Sequence, residues 1–231
     1  MCRTWYIGQN NHMSDKQDLE NRRWEHSDQP LEFWHKQALR NIGGGSVLDV
    51  GCGDGLLLVE LAKKGVTDAF GIDMSETGIA KAKQKGLHVA LVDISDLRNI
   101  SDLHGKKFDS ITILEVLEHV FDPLSILQSA KDFLSENGSL YMSTPNFNAI
   151  GDRIRVLRGM VPWQKRHEKG HVYWMNKSVV EELMKKSGLE IVEMTSLGYR
   201  RNKTGEGLFR WLAQVWPSMF ALSFFVRTRS K

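Results

Sequence analysis

Val47-Leu48-Asp49-Val50-Gly51-Cys52-Gly53-Asp54-Gly55 is a short apolar run, broken by one acid and followed at once by alternate glycines. An apolar run that stops at glycine reads as a buried strand entering a sharp turn. Glycine in such a turn lets the backbone approach a ligand closely. Residues 56–64 then carry a Leu/Val/Ala face at helical spacing. The free N–H groups of that helix start therefore face the turn, as in nucleotide-binding folds.

Outward from this unit, strand and helix patterns alternate. Residues 46–50, 67–72, 87–92, 108–114, 138–144 and 189–195 read as strands, with 221–227 as a last one. Ser75 caps a helix carrying Ile79 and Ala82 that stops at Gly86. Asp122-Pro123 starts another, and Leu124, Leu127, Ala130 and Leu134 continue it to Asn137-Gly138. Asn176 caps a third, with Val179, Val180, Leu183 and Met184 inward and Gly188 at its end. The alternation predicts an α/β fold: parallel βαβ units with helices on both faces of an open, three-layer, Rossmann-like sheet. Residues 1–30 read as a flexible or helical N-terminal extension, and 31–231 as the folded domain. Trp24, Phe33 and Trp34 are candidate anchors in an otherwise polar stretch.

The turn's details narrow its ligand. A dinucleotide fingerprint starting at Gly51 needs glycine at position 56, which is Leu56. Asp49 inside the strand end suits an ammonium group better than a pyrophosphate. S-adenosylmethionine carries an α-ammonium and a sulfonium and no phosphate. Asp73 ends the second strand 24 residues later, where a carboxylate accepts both ribose hydroxyls. Met74 beside it is placed to pack on adenine. Asp93 ends the third strand, positioned to accept from the adenine amine. Taken singly, Asp73 and Asp93 also read as ordinary turn caps. An NAD(P)-dependent oxidoreductase explains the sheet but neither Leu56 nor Asp49. A catalytically inactive S-adenosylmethionine-binding protein is a further alternative.

Residues 47–55, 71–75, Val92-Asp93 and the stretch from Phe108-Asp109 to Glu115 together resemble the successive motifs of class I S-adenosylmethionine-dependent methyltransferases. The resemblance spans roughly residues 31–195. It implies a seven-stranded, mostly parallel sheet with an antiparallel last strand. It also implies that Asp49, Gly51, Cys52 and Gly53 surround the methionine part of the cofactor, Asp73 the ribose, and Asp93 with Ile94 the adenine.

Leu114-Glu115-Val116-Leu117-Glu118-His119 resembles the segment after the fourth strand in ubiquinone-pathway O-methyltransferases. Glu115 falls at the sheet edge, next to the expected methyl position, and one helical turn gathers Glu118 and His119 beside it. Three readings stand open. His119 is a general base for an acceptor hydroxyl; Glu115, Glu118 and His119 are mixed ligands for a metal, as the ubiquinone-type resemblance suggests; or the segment is a locally bonded turn. No metal is assigned. His171, within His171-Val172-Tyr173-Trp174, resembles an acceptor-facing histidine of polysaccharide-pathway and lipid-linked methyltransferases, and reads equally as a packed residue. Residues 153–169, basic and loop-rich, read as a lid or as solvated surface.

Net charge is +3, but residues 198–231 hold seven lysines and arginines against Glu206 alone. Phe209, Trp211, Trp216, Phe220, Phe224 and Phe225 alternate there with Arg200, Arg201, Lys203, Arg210, Arg227 and Arg229. Such a segment either packs on the sheet or touches a membrane surface. No nucleic-acid partner is expected, although arginine and aromatics also suit stacking on bases. Cys2 and Cys52 are too few for a disulfide framework, and no apolar signal follows the first residues. A cytoplasmic methyltransferase, peripheral to a membrane in one reading, is the expectation, with a small-molecule, sugar or lipid-linked acceptor. The oligomeric state is not readable from the sequence.

Overall fold

The computed structural model describes residues 11–25, 30–95, 97–162, 170–197 and 206–231. β1 (Val47–Val50) is buried along its whole length and sits mid-sheet. It pairs in parallel with β2 (Ala69–Asp73) on one side and β4 (Phe108–Leu114) on the other. β3 (Val89–Leu91) lies outside β2, and β5 (Leu134–Pro145) outside β4. β7 (Ser223–Ser230) inserts antiparallel between β5 and β6 (Leu189–Leu197). The order β3-β2-β1-β4-β5-β7-β6 reverses direction between β1 and β4. A crevice opens at the carboxyl ends of strands where the order reverses in this way.

Side-chain alternation along the strands divides the core into two faces. Leu48, Val50, Ile111, Ile113, Leu140 and Met142 point to the face covered by α5 (Pro123–Asp132) and α7 (Lys177–Ser187). Val47, Tyr141 and Phe225 point to the other, under α2 (Phe33–Asn41) and α3 (Leu56–Lys63). Each layer thus exists because one stripe of a helix is apolar and has a sheet face to bury it against. Side-chain caps start three helices where the sequence places them. Ser75 Oγ accepts from Gly78 N at 3.1 Å to begin α4 (Glu76–Gln84), Asp122 Oδ1 from Ser125 N at 3.0 Å, and Asn176 Oδ1 from Val179 N at 3.0 Å.

Two expectations shift. The helix opened by Asp122 ends at Asp132, five residues before Asn137. The Phe133 carbonyl accepts from Phe108 N at 2.8 Å, which draws Leu134 out of the helix and into β5. Residues 135–138 then bulge before Ser139 pairs with Ser110. The last strand runs to Ser230 rather than to Arg227, because Arg229 and Ser230 still pair with Glu190 and Leu189.

The N-terminal extension contributes α1 (Asn11–Glu25), which lies against α4 at the carboxyl edge. Asn21 Oδ1 accepts from Ser75 Oγ at 3.0 Å and from Thr77 N at 3.3 Å, while Lys81 Nζ donates to the Trp24 carbonyl. Among the described residues no helix is long and apolar enough to cross a membrane. Arg200, Arg201 and Lys203, the side chains of Phe209 and Arg210, and residues 163–169 of the lid reading lie outside the described residues.

Candidate active site

The glycine turn is shaped by what touches it. Gly51 has φ 78°, and a methyl group there would come 2.3 Å from Val116 Cγ2. Gly53 has φ 53°, and a methyl group there would come 2.0 Å from the Trp24 ring. Both positions therefore need glycine for conformation and for space. Asp73 locks the turn to β2: Oδ2 accepts from Gly53 N at 2.8 Å, and Oδ1 from Ser75 N at 2.7 Å. Burial raises its carboxyl above the ordinary range, against the pull of those backbone bonds.

Asp49 is buried behind the turn and accepts from Thr112 Oγ1 at 2.6 Å. Burial pushes its pKa up to about 7; the Thr112 bond opposes this, and the charge of Asp73 adds to it. A cationic ligand beside Asp49 would reverse that cost. Among the described residues, two buried carboxylate oxygens of the same cleft wall, Asp54 Oδ1 and Glu118 Oε1, have no hydrogen-bond partner. A cleft of about 430 Å3, whose wall includes Asp49, Asp54, Asp73, Glu115 and Glu118 as well as Arg23, suits a cation-bearing cofactor.

The folded, unliganded chain holds a proton on Asp49 between about pH 4 and about 7 that the unfolded chain has released. Through this group, stability without ligand falls as pH rises across that window. Affinity for S-adenosylhomocysteine, which keeps the α-ammonium, rises across the upper part of it, about tenfold per pH unit below 7 at most. Thermal-shift measurements with and without this ligand should show the ligand-induced shift growing from pH 5.5 to 7.5. A shift that stays constant refutes the pairing of Asp49 with a cation.

The sequence candidates Asp49, Gly51, Cys52, Asp73, Met74, Ile94, Glu115, His119 and His171 all line this cleft. Gly53 sits under Trp24 instead. Asp93 stands apart: its side chain is exposed, two residues beyond β3, and Oδ1 accepts from Ser95 N at 2.9 Å. The Cys52 thiol is pushed well above its usual range, first by burial and then by the surrounding carboxylates, so it stays protonated.

Glu115 adopts φ 55°, a left-handed conformation that is strained for a side chain of this kind and typical of functional edges. Ser143 Oγ donates to Glu115 Oε1 at 2.9 Å and accepts from Glu115 N at 3.1 Å. A 3-10 turn, Leu117–His119, then carries Glu118 and His119 inward. The Glu118 carbonyl accepts from Val172 N and Tyr173 N at 2.8 and 3.0 Å, which pins the 170–173 strip to this turn. His119 and His171 consequently meet with ring centroids 4.7 Å apart. Glu118, His119 and His171 each present one ligand atom, all within 4.8 Å of one another. The trio weighed from the sequence had Glu115 where the structure puts His171; Glu115 is turned toward Ser143. Burial, then the charge of Glu115, holds the Glu118 carboxyl well above its usual range.

His119 Nδ1 lies 3.2 Å from the Gly170 carbonyl, which can only accept, so Nδ1 carries the hydrogen. Nε2 of the neutral ring then bears the lone pair. It faces the Arg23 guanidinium of α1, with both terminal nitrogens at 3.5 Å. Arg23, Trp24 and Glu20 of α1, with Trp34 and His35 of α2, complete the wall. The sequence signalled only Trp24 and Trp34, as large apolar residues in a polar stretch.

A family model described as a methyltransferase domain matches residues 20–194. The ubiquinone biosynthesis O-methyltransferase of Methylococcus capsulatus is 33% identical over 184 residues, covering 75% of each chain. That of Haemophilus ducreyi is 41% identical over 125 residues, covering 51% of this chain and 52% of the relative, so this match spans about half of the relative's length. Among solved structures, the magnesium protoporphyrin IX methyltransferase of Synechocystis with bound SAH superposes with a TM-score of 0.62 at 19% identity, covering 95% of this chain and 99% of that one. The N-methyltransferase NodS of Bradyrhizobium japonicum, in complex with S-adenosyl-L-homocysteine, gives 0.63 at 17%, covering 94% and 98%. At those identities the structural likeness concerns the fold alone. The oxidoreductase alternative falls with the family match. With a relative aligned over three quarters of its length and a cleft shaped for a cationic donor, the chain belongs to the class I S-adenosylmethionine-dependent methyltransferases and takes S-adenosylmethionine as its cofactor.

Proposed function

We propose that this methyltransferase acts on oxygen: the acceptor is a hydroxyl of a small, sugar or lipid-linked molecule, and His119 is its general base. The observation that carries the reading is the tautomer of His119, protonated at Nδ1 toward Gly170 and basic at Nε2 toward the cleft. The Methylococcus and Haemophilus relatives, both named O-methyltransferases, support the same choice.

When bound, S-adenosylmethionine supplies a methyl group already activated by its sulfonium. The chain's task is then to place the acceptor and remove its proton. Asp49 and Asp73 hold the donor end, and Glu115 lines the same cleft. His119 Nε2 takes the hydroxyl proton as the new O–C bond forms and the S–C bond breaks. An incoming hydroxyl reaches Nε2 by displacing the Arg23 guanidinium. The buried Glu118 Oε1, 4.0 Å from His119 Nε2 and without a hydrogen-bond partner among the described residues, favours a second reading. There Glu118, His119 and His171 would hold a divalent cation, which would supply Lewis-acid polarisation of the acceptor oxygen.

The test is transfer from methyl-labelled S-adenosylmethionine to an alkyl catechol and to the matching alkyl aniline. Label is expected on the catechol oxygen; label on the aniline nitrogen alone overturns the oxygen assignment. Transfer that stops with EDTA and returns with magnesium replaces the base reading by the cation reading.

A further inference from the structure

Among the described residues that line the cleft, seven are acids and Arg23 is the one lysine or arginine. Its Nη1 pairs with Glu20 Oε2 at 3.2 Å, one turn back along α1. Both terminal nitrogens lie 3.5 Å from His119 Nε2. Burial raises the carboxyls of Asp73 and Glu118, and the charge of Arg23 pulls against that rise at both. A single guanidinium is thus felt at the donor end, at the acceptor end and at the proposed base.

The helix that carries Arg23 is anchored on both sides of it. Asn21 Oδ1 accepts from Ser75 Oγ and Thr77 N, and Lys81 Nζ donates to the Trp24 carbonyl. Leu19 packs so closely on Gly170 that a methyl group there would come 2.6 Å from Leu19 Cδ2. No side chain among residues 17–25 is fully buried, so the anchors are those named contacts rather than a core. With the backbone tied down, the long arginine side chain is the part that moves.

We propose that Arg23 is a charge-sensing gate: its guanidinium leaves His119 Nε2 for Glu20 when the sulfonium of S-adenosylmethionine is bound, and so uncovers the base only when a methyl group is there to transfer. Two cations confined to one partly buried cleft repel strongly, because little water lies between them to screen the charge. Arg23 already feels the charge of Asp73, so a donor held at Asp73 brings its sulfonium within range of the guanidinium. Glu20 is already paired with Arg23, so the swing keeps an ion pair. The other role for a cleft arginine, binding an anionic group of the acceptor, is opposed by the acids on the same wall.

The gate also has a reason to close. Methyl transfer breaks the S–C bond, forms the O–C bond and puts the hydroxyl proton on His119, and the sulfur is left as a neutral thioether. The repulsion between donor and arginine ends there. Once His119 has given up its proton, Arg23 returns to Nε2 and covers the base against the spent cofactor. The movement itself needs only the charge of the donor; it rests on the hydroxyl-acceptor reading for what the gate uncovers.

Two cofactor analogues that transfer nothing isolate that charge. Sinefungin carries a protonated amine where the methylated sulfur would be; S-adenosylhomocysteine is neutral there, and both keep the α-ammonium and the carboxylate. In calorimetric titration of the full chain, Arg23→Gln is expected to tighten sinefungin about fivefold or more and S-adenosylhomocysteine less than about twofold. Arg23→Lys, which keeps the charge, should bind both as the native chain does. In the native chain, diethyl pyrocarbonate should modify His119, followed by peptide mass, several-fold faster with sinefungin bound than with S-adenosylhomocysteine bound. The proposal is overturned if Arg23→Gln weakens sinefungin, shifts both ligands alike or is matched by Arg23→Lys. It is also overturned if native His119 is modified no faster with sinefungin. Failure of the base reading shows instead in the kcat of His119→Asn, which neither measurement reads.

Discussion

Changing His119 to alanine is expected to lower kcat by about 10²- to 10⁴-fold, the usual contribution of a general base, with S-adenosylhomocysteine affinity nearly unchanged. His119 contacts the 170–171 strip and Arg23, whereas the donor is proposed to bind at the glycine turn, Asp49 and Asp73, which lie on other elements. The two functions are therefore separable by mutation. His119→Asn sharpens the result, because its amide N–H can still reach the Gly170 carbonyl while offering no base. It should retain the native melting temperature better than alanine and remain equally slow. The acidic limb of the native pH–rate profile, which reports the base, should vanish in both variants. If kcat of His119→Asn stays within about threefold of native, the base role is excluded and His119 is a packing or ligand residue.

Removing the Asp73 carboxylate should weaken cofactor binding on the order of 100-fold or more. Hydrogen bonds to a charged group contribute about 1.5–3 kcal/mol each, and two ribose hydroxyls are at stake. The same substitution unties Gly53 N and Ser75 N, held now at 2.8 and 2.7 Å, so the turn also loses its fixed shape. Asp73→Asn keeps one acceptor oxygen and should fall between alanine and native. Calorimetric titration with S-adenosylhomocysteine measures both, and kcat at saturating S-adenosylmethionine should change far less than the affinity. An Asp73→Ala variant that binds within a few fold of native would remove Asp73 from the ribose site.

The elements legible in advance are those that local chemistry decides. Ser75, Asp122 and Asn176 each start a helix because a short polar side chain satisfies an N–H that nothing else reaches. The β1 run is wholly apolar apart from Asp49, as a strand buried on both faces must be. Helix α5 shows the limit. Leu134 continues its periodicity, yet Phe108 N takes the Phe133 carbonyl, and a long-range ladder bond outweighs a local pattern.

The site divides along the same line. Asp49, Gly51, Cys52, Asp73 and Met74 fall on one cleft, as their spacing predicts, because they lie within one or two βα turns of each other. The meeting of Glu118, His119 and His171 was not legible, because it is assembled across the fold. His171 reaches His119 from 52 residues away only because the Glu118 carbonyl binds the Val172 and Tyr173 amides. α1 offered still less warning. Its sequence is polar, and only docking on α4 brings Arg23 to His119 and Trp24 onto Gly53. Residues 47–55 with Asp73 thus determined the fold and the donor, through conformation and charge that act within a single turn. The tautomer of His119 and the meeting of Glu118, His119 and His171 were decided by tertiary structure, because each depends on contacts between segments that no local pattern encodes.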